Sequence, residues 1–241
     1  MHVFCLASWL LDDQCARAEA LSLVLPPGVA VCRETAAWLH GVDARRPGSH
    51  LALGDLNVLV PLSATPPRRP GVAAFQSDLT SSDVCEVNGV PTTTVVRTAL
   101  DLLRSSPPYV GLAALDAWAH RRALDPAEVA ARVETLRGHR GIAQARRLVS
   151  LCEPATESHG ESWMRLRIVD AGLPRPVVQI PVQTSARTVY RLDAGYEELR
   201  VGFEYDGEEF HSSVEAQAAD AARRDDLVRR FGWTVGRGCP P

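Results

Sequence analysis

The sequence predicts a protein of mixed α/β and α+β class, in which an α+β domain over residues 1–152 precedes an αβββαβ domain over residues 153–241. Three observations carry this prediction. Helix-like and strand-like stretches alternate along the chain, and the pair Glu153-Pro154 marks a break between two groups of elements. Apolar residues make up 46% of the 241 residues, which is enough to bury a substantial core.

In the first domain, short helices and strands are separated by glycine and proline signals. Asn88-Gly89 predicts a hairpin turn, and Asp125-Pro126 predicts a helix start with an Asp N-cap and Pro at the first helical position. The predicted strands are Leu53–Pro61, Asp83–Val87 and Thr92–Val96. The predicted helices are residues 14–24, Glu34–His40, Arg97–Leu103, Val110–Arg122, Asp125 to about Leu136, and Ile142–Leu151.

In the second domain, a capping-box pattern at Ser158 and Glu161 begins a helix that runs to Ala171, with Gly172 after it. The pattern that follows predicts three strands, a helix and a last strand. These are Val177–Val182, with Pro181 favouring an edge position, Val189–Asp193, Leu199–Tyr205, a helix from about Ser213 to about Arg230, and Phe231–Val235.

Composition limits the partners that the chain can have. The formal net charge is −3 and all 26 basic residues are arginine, so any contact with nucleic acid must come from a local patch or through a bound cation. The exclusive use of arginine reflects either coding bias in a GC-rich genome or phosphate recognition. The chain carries neither a Walker loop nor a dinucleotide fingerprint, so no nucleotide cofactor is expected.

Location is predicted from the cysteines and the first residues. Six cysteines are scattered without a CxxC pair, as expected for free thiols in the cytoplasm. The apolar start of the chain is interrupted at Asp12-Asp13 after too few residues to span a bilayer. We therefore expect a soluble cytoplasmic protein with no membrane partner.

Carboxylates at the ends of two predicted strands indicate a metal site. Asp193 closes one strand-like stretch, and Glu204 and Asp206 close the next, with His211 about one turn later. Neighbouring strands that end in like charges repel unless a cation or a proton resolves the conflict. Carboxylate oxygens suit Mg²⁺, which takes one or two protein carboxylates and keeps several waters.

Each of these signals also has a structural explanation. Glu161 is placed to cap its helix through the Ser158 backbone, or to act as an outer metal ligand. Asp206-Gly207 also fits a simple turn, and His211 fits a turn or a helix start. Arg223 lies on a charge-rich helix, which is usually solvated, although it is also placed for a phosphate contact. Trp233 is expected in the core.

The second domain resembles the restriction-endonuclease-like PD-(D/E)xK superfamily, and within it the Vsr-related endonuclease domains, over residues 153–237. The resemblance rests on a Ser-x-x-Glu helix start followed by Arg165, an aliphatic-Asp strand end, Glu-x-Asp-Gly before an aromatic-His pair, and Asp-x-x-Arg leading into Gly-Trp. These motifs are Ser158 and Glu161, Leu192-Asp193, Glu204 to Gly207, Phe210-His211, Asp220 and Arg223, and Gly232-Trp233. The resemblance implies Mg²⁺ or Mn²⁺ as cofactor, and DNA contacts by Arg165 and Arg223.

The first domain resembles AbiEi-type antitoxins of type IV toxin–antitoxin systems. The resemblance lies in Thr35–Asp43, TAAWLHGVD, and in Thr94–Leu102, TVVRTALDL. It implies a cognate toxin and DNA as partners. The match begins close to the start of this chain, so we expect the N-terminal winged helix of such proteins to be absent.

Two main hypotheses about function follow. In the preferred one, the chain is a Mg²⁺-dependent DNA endonuclease that hydrolyses phosphodiester bonds. Asp193 and Glu204 then hold the metal and activate a water, His211 handles the proton, and Glu161 and Asp206 complete the outer shell. The alternative is a catalytically inactive DNA-binding or antitoxin-type transcriptional regulator, which is favoured because the lysine usual in such nuclease sites is missing. A scaffold without a nucleic-acid role is a third option.

Overall fold

The computed structural model describes most of the chain, in two compact units. The described residues are 20, 23, 25–44, 55–68, 70–184, 187–205 and 214–238, without the side chains of 183, 184, 187–189 and 214–221. The first unit is Met1–Cys152 and the second is Glu153–Pro241. No helix in these described ranges is long and apolar enough to cross a membrane.

The first unit contains a five-stranded mixed sheet. Its strands are β1 (Ala30–Val31), β2 (Leu56–Pro61), β3 (Val72–Ser77), β4 (Val84–Val87) and β5 (Val90–Thr93). They are ordered β3-β2-β1-β5-β4. The β2–β3 and β1–β5 pairs are parallel, whereas β1–β2 and β4–β5 are antiparallel.

The turn between β4 and β5 follows from its two residues. Val87 pairs with Val90, so only Asn88 and Gly89 connect the strands. Both have positive φ, 50° and 78° respectively, which is the geometry of the type I′ turn that Asn-Gly favours. The hairpin predicted here is confirmed.

The helices described in the first unit follow the predicted pattern. They are α1 (Arg33–Leu39), α2 (Val95–Ser105), α3 (Pro108–His120), α4 (Pro126–Thr135) and α5 (Ile142–Ser150). At the start of α4, the Ala127 backbone N–H donates to Asp125 Oδ1 at 2.8 Å, which confirms the predicted N-cap. The centre of α2 and α3 is apolar and fully buried, at Leu100, Leu102, Leu103, Leu112, Leu115 and Trp118.

The second unit has the predicted order of helix, three strands, helix and strand, and the predicted fold class is confirmed. Its elements are α6 (His159–Asp170), β6 (Val177–Thr184), β7 (Arg187–Tyr196), β8 (Val201–Tyr205), α7 (Val214–Arg229) and β9 (Thr234–Gly238). The sheet order is β6-β7-β8-β9, and only the β8–β9 pair is parallel. Strand β6, which contains Pro181, is an edge strand as predicted. Trp233 is buried in a core cluster with Ile180, Leu192 and Leu227, also as predicted.

Asp193 does not close its strand, and that prediction is wrong. Strand β7 continues to Tyr196, so Asp193 lies inside it. The sequence Asp-Ala-Gly resembles the start of a turn, but Gly195 instead pairs with Gly202 on β8. A Cβ at Gly195 would lie 2.4 Å from the Val201 carbonyl oxygen, so glycine is what allows the strands to stay paired at this point.

Other boundaries also differ from the prediction. Strand β8 begins at Val201 rather than Leu199, because Glu197–Leu199 forms a 3₁₀ turn. Strands β1 and β3 were not predicted; β1 has only two residues. Most of the helix predicted at residues 14–24 lies outside the described residues.

Candidate functional site

The elements of the second unit bring three of the predicted carboxylates close together. Glu161 is in the first turn of α6, Asp193 is on β7, and Glu204 is on β8. Strands β7 and β8 pair Ala194 with Phe203, so Asp193 and Glu204 occupy the next position along the same antiparallel ladder. Side chains at such opposed positions project from the same face of a sheet.

Glu161 is held by three hydrogen bonds. Its carboxylate accepts from the Glu157 backbone N–H at 3.1 Å, the Ser158 hydroxyl at 2.9 Å and the Gln179 side-chain amide at 2.8 Å. Ser158 Oγ in turn accepts from the Glu161 backbone N–H at 3.2 Å. The capping role is therefore real, although the carboxylate bonds to the Glu157 backbone and not to that of Ser158.

The pKa of Glu161 is raised, first because burial disfavours its charged form. The hydrogen bonds from Glu157 and Ser158 oppose this effect, and the negative charges of Asp193 and Glu157 add to it. Glu161 and Asp193 therefore interact electrostatically, and a shared metal site for the two stays a prediction.

Asp193 is half-buried and is also a hydrogen-bond acceptor. Its Oδ2 accepts from the Tyr205 backbone N–H at 2.8 Å. Burial raises the pKa of the Asp193 carboxyl, while the Tyr205 hydrogen bond and the positive charges of Arg223 and Arg191 oppose the shift. The net direction is upward, so the ionised form of Asp193 is less favourable here than in water.

The charge of Glu204 is balanced by Arg223 of α7. Arg223 Nη2 lies 2.6 Å from Glu204 Oε1, and the carboxylate side chain is only 8% exposed while the arginine is 31% exposed. The same nitrogen donates to the Arg191 carbonyl oxygen at 2.8 Å, and the guanidinium carbon is 5.8 Å from the centre of the Tyr190 ring. A cation from the protein itself thus occupies the position beside Glu204.

Gln179 belongs to this cluster and sequence reasoning missed it. It lies in β6 with φ of +53°, between Val178 and Ile180, which pair with Ala194 and Leu192 of β7. A non-glycine residue in the left-handed region stores strain and is more frequent at functional sites. No sequence signal marks Gln179, because glutamine in a strand is ordinary and its backbone strain arises only in the folded structure.

A family match decides where the chain belongs. Residues 29–151, about half of the chain, match the model described as AbiEi antitoxin C-terminal domain. The chain belongs to the AbiEi antitoxin C-terminal domain family. The AbiEi resemblance of the first domain is thereby confirmed, whereas the Vsr-related resemblance of residues 153–237 is not supported by this match and stays a prediction.

Relatives of this AbiEi-family chain occur in Mycobacterium tuberculosis. Uncharacterized protein MT2308 of strain CDC 1551 / Oshkosh and uncharacterized protein Rv2248 of strain ATCC 25618 / H37Rv are each 29% identical over 223 residues, covering 92% of this chain and 79% of the relative. The crystal structure of the Rv2827c protein from the same species is 14% identical with a TM-score of 0.38, and the likeness covers 73% of this chain and 64% of that one.

The remaining predicted site residues are placed as follows. Asp206 and His211 lie outside the described residues, as does the side chain of Asp220. Arg165 is only 2% exposed, and its contact with nucleic acid stays a prediction. Among the described residues, no group of three or more His, Cys, Asp or Glu side chains is arranged to hold a metal ion.

Proposed function

We propose that this chain is an antitoxin-type transcriptional regulator of a type IV toxin–antitoxin-like system, which binds DNA and opposes a cognate toxin. Membership of the AbiEi antitoxin C-terminal domain family supports the antitoxin role. The proposal that this regulator is not a catalyst rests on one observation. Glu204 and Arg223 form an ion pair of 2.6 Å in the second unit.

The ion pair matters because of the charge balance that a metal site requires. A Mg²⁺ ion binds through free carboxylate oxygens and neutralises their repulsion. Here the Glu204 oxygen is paired with Arg223, Asp193 accepts a backbone hydrogen bond, and Glu161 accepts three bonds from its own unit. Among the residues that the structure describes, the carboxylates of this cluster do not fit a metal ion in this arrangement, so no catalytic step is assigned to one.

Metal-dependent DNA cleavage is the second candidate, and one observation favours it. The αβββαβ order brings Glu161 and Asp193 close enough for the charge of one to raise the pKa of the other. Clustered acids with shifted pKa values are more frequent at functional sites than elsewhere. This candidate requires Arg223 to leave Glu204, and it assigns the metal-binding role to Asp193, Glu204 and Glu161.

Co-expression tests the antitoxin proposal. The toxin gene adjacent to the gene for this chain is expressed in a host cell alone, with this chain, or with its Asp193→Asn, Glu204→Gln double variant. We expect growth to be restored by the wild type and by the double variant alike, because the proposed function needs no catalysis. Failure of the wild type to restore growth would refute the antitoxin role. Rescue by the wild type but not by a folded double variant would favour the nuclease candidate.

A further inference from the structure

We propose that the first unit binds a small phosphorylated ligand in a cavity of about 480 Å³. Ligand-binding pockets commonly have volumes of about 300–1,000 Å³, so the cavity has the size of a nucleotide or a sugar phosphate. This site is independent of the acidic cluster in the second unit. The side chains that the argument uses are Arg33, Phe75, Arg97, Asp101, Arg104 and Arg140, all of which line the cavity.

The sequence places the polar groups on one face. Arg97, Asp101 and Arg104 are four and three residues apart on α2, a spacing that puts side chains on the same side of a helix. Arg33 begins α1 and Phe75 is on β3. Arg140 comes from the loop before α5 and faces the end of α2.

Arg97 is already neutralised within the protein. It donates from Nε to Asp101 at 3.0 Å, from Nη1 to Asp83 at 3.1 Å and from Nη2 to the Ser77 hydroxyl at 2.9 Å. Arg97 therefore lines the cavity and holds the Asp101 carboxylate in position. The charge available for a ligand therefore comes from the other arginines.

Arg33, Arg104 and Arg140 supply that charge, since none of them forms an ion pair with a carboxylate among the described residues. The lining thus carries three positive charges that the described carboxylates leave unbalanced. Guanidinium groups bind phosphate through paired, charge-assisted hydrogen bonds. A phosphate or diphosphate is the group that matches this excess.

The side chains of Arg104 and Arg33 are held in place before any ligand arrives. Arg104 Nε donates to the Arg140 carbonyl oxygen at 3.1 Å, and a Cβ at Gly141 would lie 2.0 Å from the Arg104 carbonyl oxygen. The loop therefore packs tightly on the end of α2. Arg33 has φ of +50°, and its guanidinium carbon is 3.4 Å from the Phe75 ring centre. Such backbone strain is typical of ligand sites, and the stacking fixes the guanidinium plane.

Asp101 indicates that the ligand carries more than phosphate. Its Oδ2 bonds to Arg97, and its carboxylate lines the cavity beside the arginines. A carboxylate there repels a continuous phosphate backbone but accepts a hydroxyl or amine of a sugar or base. A small molecule with a phosphate and such a donor fits this wall better than a nucleic-acid strand.

Isothermal titration calorimetry on the full chain tests the inference with pyrophosphate, ATP without added metal, and a twelve-nucleotide single-stranded DNA. We expect pyrophosphate and ATP to bind, and Arg104→Gln or Arg140→Gln each to weaken binding about tenfold, the equivalent of about 1.4 kcal/mol. The matched control is Arg137→Gln, which removes the same charge from a side chain that is 81% exposed and does not line the cavity.

Three results would overturn the proposal. They are no binding of pyrophosphate or ATP, equal weakening by Arg137→Gln, and binding of the DNA alone with the same dependence on Arg104 and Arg140. The last result would assign the cavity to the nucleic-acid backbone. Arg140 is exposed and its substitution leaves the core untouched, so that variant keeps the test valid even if Arg104→Gln folds poorly.

Discussion

At the scale of single residues, the pair of Glu204 and Arg223 determines how the acidic cluster behaves. A carboxylate that is almost completely buried needs a partner, because an unpaired charge away from water is costly. The partner here is an arginine on α7 that also bonds to the Arg191 carbonyl oxygen. The charge of Glu204 is thus balanced by the protein itself.

Arg223→Met should destabilise the second unit by about 1–3 kcal/mol, between the values typical of exposed and of buried ion pairs. The cause is the Glu204 charge that it leaves without its partner. The free energy of unfolding measured in urea checks this. The control, Arg229→Met, breaks the exposed pair with Asp225 and should change stability by less than about 1 kcal/mol. Equal effects of the two substitutions would contradict the account.

Asp193→Asn should stabilise the protein at neutral pH. The raised pKa of Asp193 in the folded state means that stability falls as pH rises from the ordinary value of 3.8 through the folded value, and that the loss is complete above it. Asparagine keeps an acceptor for the Tyr205 N–H and removes the charge. Urea midpoints of the wild type and the variant should therefore converge below pH 3.8. A variant that is less stable than the wild type at neutral pH would count against this assignment.

Sequence patterns predicted some of these residues and not others. Ser158 and Glu161 were recognisable because a capping box is a local pattern with fixed spacing. The Glu204–Arg223 pair joins β8 to the helix that follows it in the chain, and no fixed spacing marks such a pair, so its formation depends on packing. Gln179 carries no local pattern, and its strained backbone arises from the pairing of β6 with β7.

At the scale of elements, Arg97 fastens helix α2 to the segment that leads into β4. It bonds to Asp83, the last residue of a 3₁₀ turn at Ser81–Asp83, and to the Asp78 carbonyl oxygen. Burial alone would raise the pKa of Asp83, but hydrogen bonds from Thr80 and the charges of Arg97 and Arg132 together hold it below its usual value. The ionised Asp83 carboxylate therefore stabilises the folded protein at pH values above the ordinary Asp pKa. This stabilisation is lost as the pH falls through the lowered pKa that Asp83 has in the folded protein.

Arg97→Met should therefore cost about 3–5 kcal/mol, the range expected when a buried pair loses one partner. The loss of stability is measured from the thermal and urea unfolding transitions of the first unit. Arg146→Met removes an exposed pair with Glu134 and serves as the control, with an expected change in stability far smaller than that of Arg97→Met. A small effect at Arg97 would show that the network does not hold α2 in place.

Gly160→Ala should loosen helix α6 against β8. A Cβ at this position would lie 2.0 Å from the Tyr205 ring, which is itself in edge contact with Trp163. Overpacking of this kind costs about 1–3 kcal/mol. The double variant Gly160→Ala, Tyr205→Ala should lose less stability than the sum of the single variants. Strict additivity would mean that the two residues do not meet.

The elements that the sequence predicted are those bounded by strong turn or helix-capping residues. The Asn88-Gly89 hairpin, the Asp125 cap and the order αβββαβ follow from turn and capping residues. Strand β1 is too short to show a period, and β3 gains its identity from parallel pairing with β2. The length of β7 depended on Gly195, whose role is a close approach between strands and not a turn.

At the scale of the whole molecule, the two units support different conclusions about function. The first unit contains the residues that match the AbiEi family model. The second contains an acidic cluster whose resemblance to nucleases stays a prediction. The formal net charge of −3 gives no general attraction to DNA, so the proposed DNA binding must depend on local arginines and weaken as salt rises.

The central claim is that the chain binds DNA without cutting it. Labelled DNA from the region upstream of its own gene is incubated with the full chain in Mg²⁺, Mn²⁺ or chelator, at several salt concentrations. Anisotropy then reports binding, and a denaturing gel of the same samples reports cleavage. We expect binding that weakens with salt, is equal with metal or chelator, and leaves the DNA intact for both wild type and Asp193→Asn. Cleavage that the chelator and Asp193→Asn both abolish, or no salt-sensitive binding at all, would contradict the account.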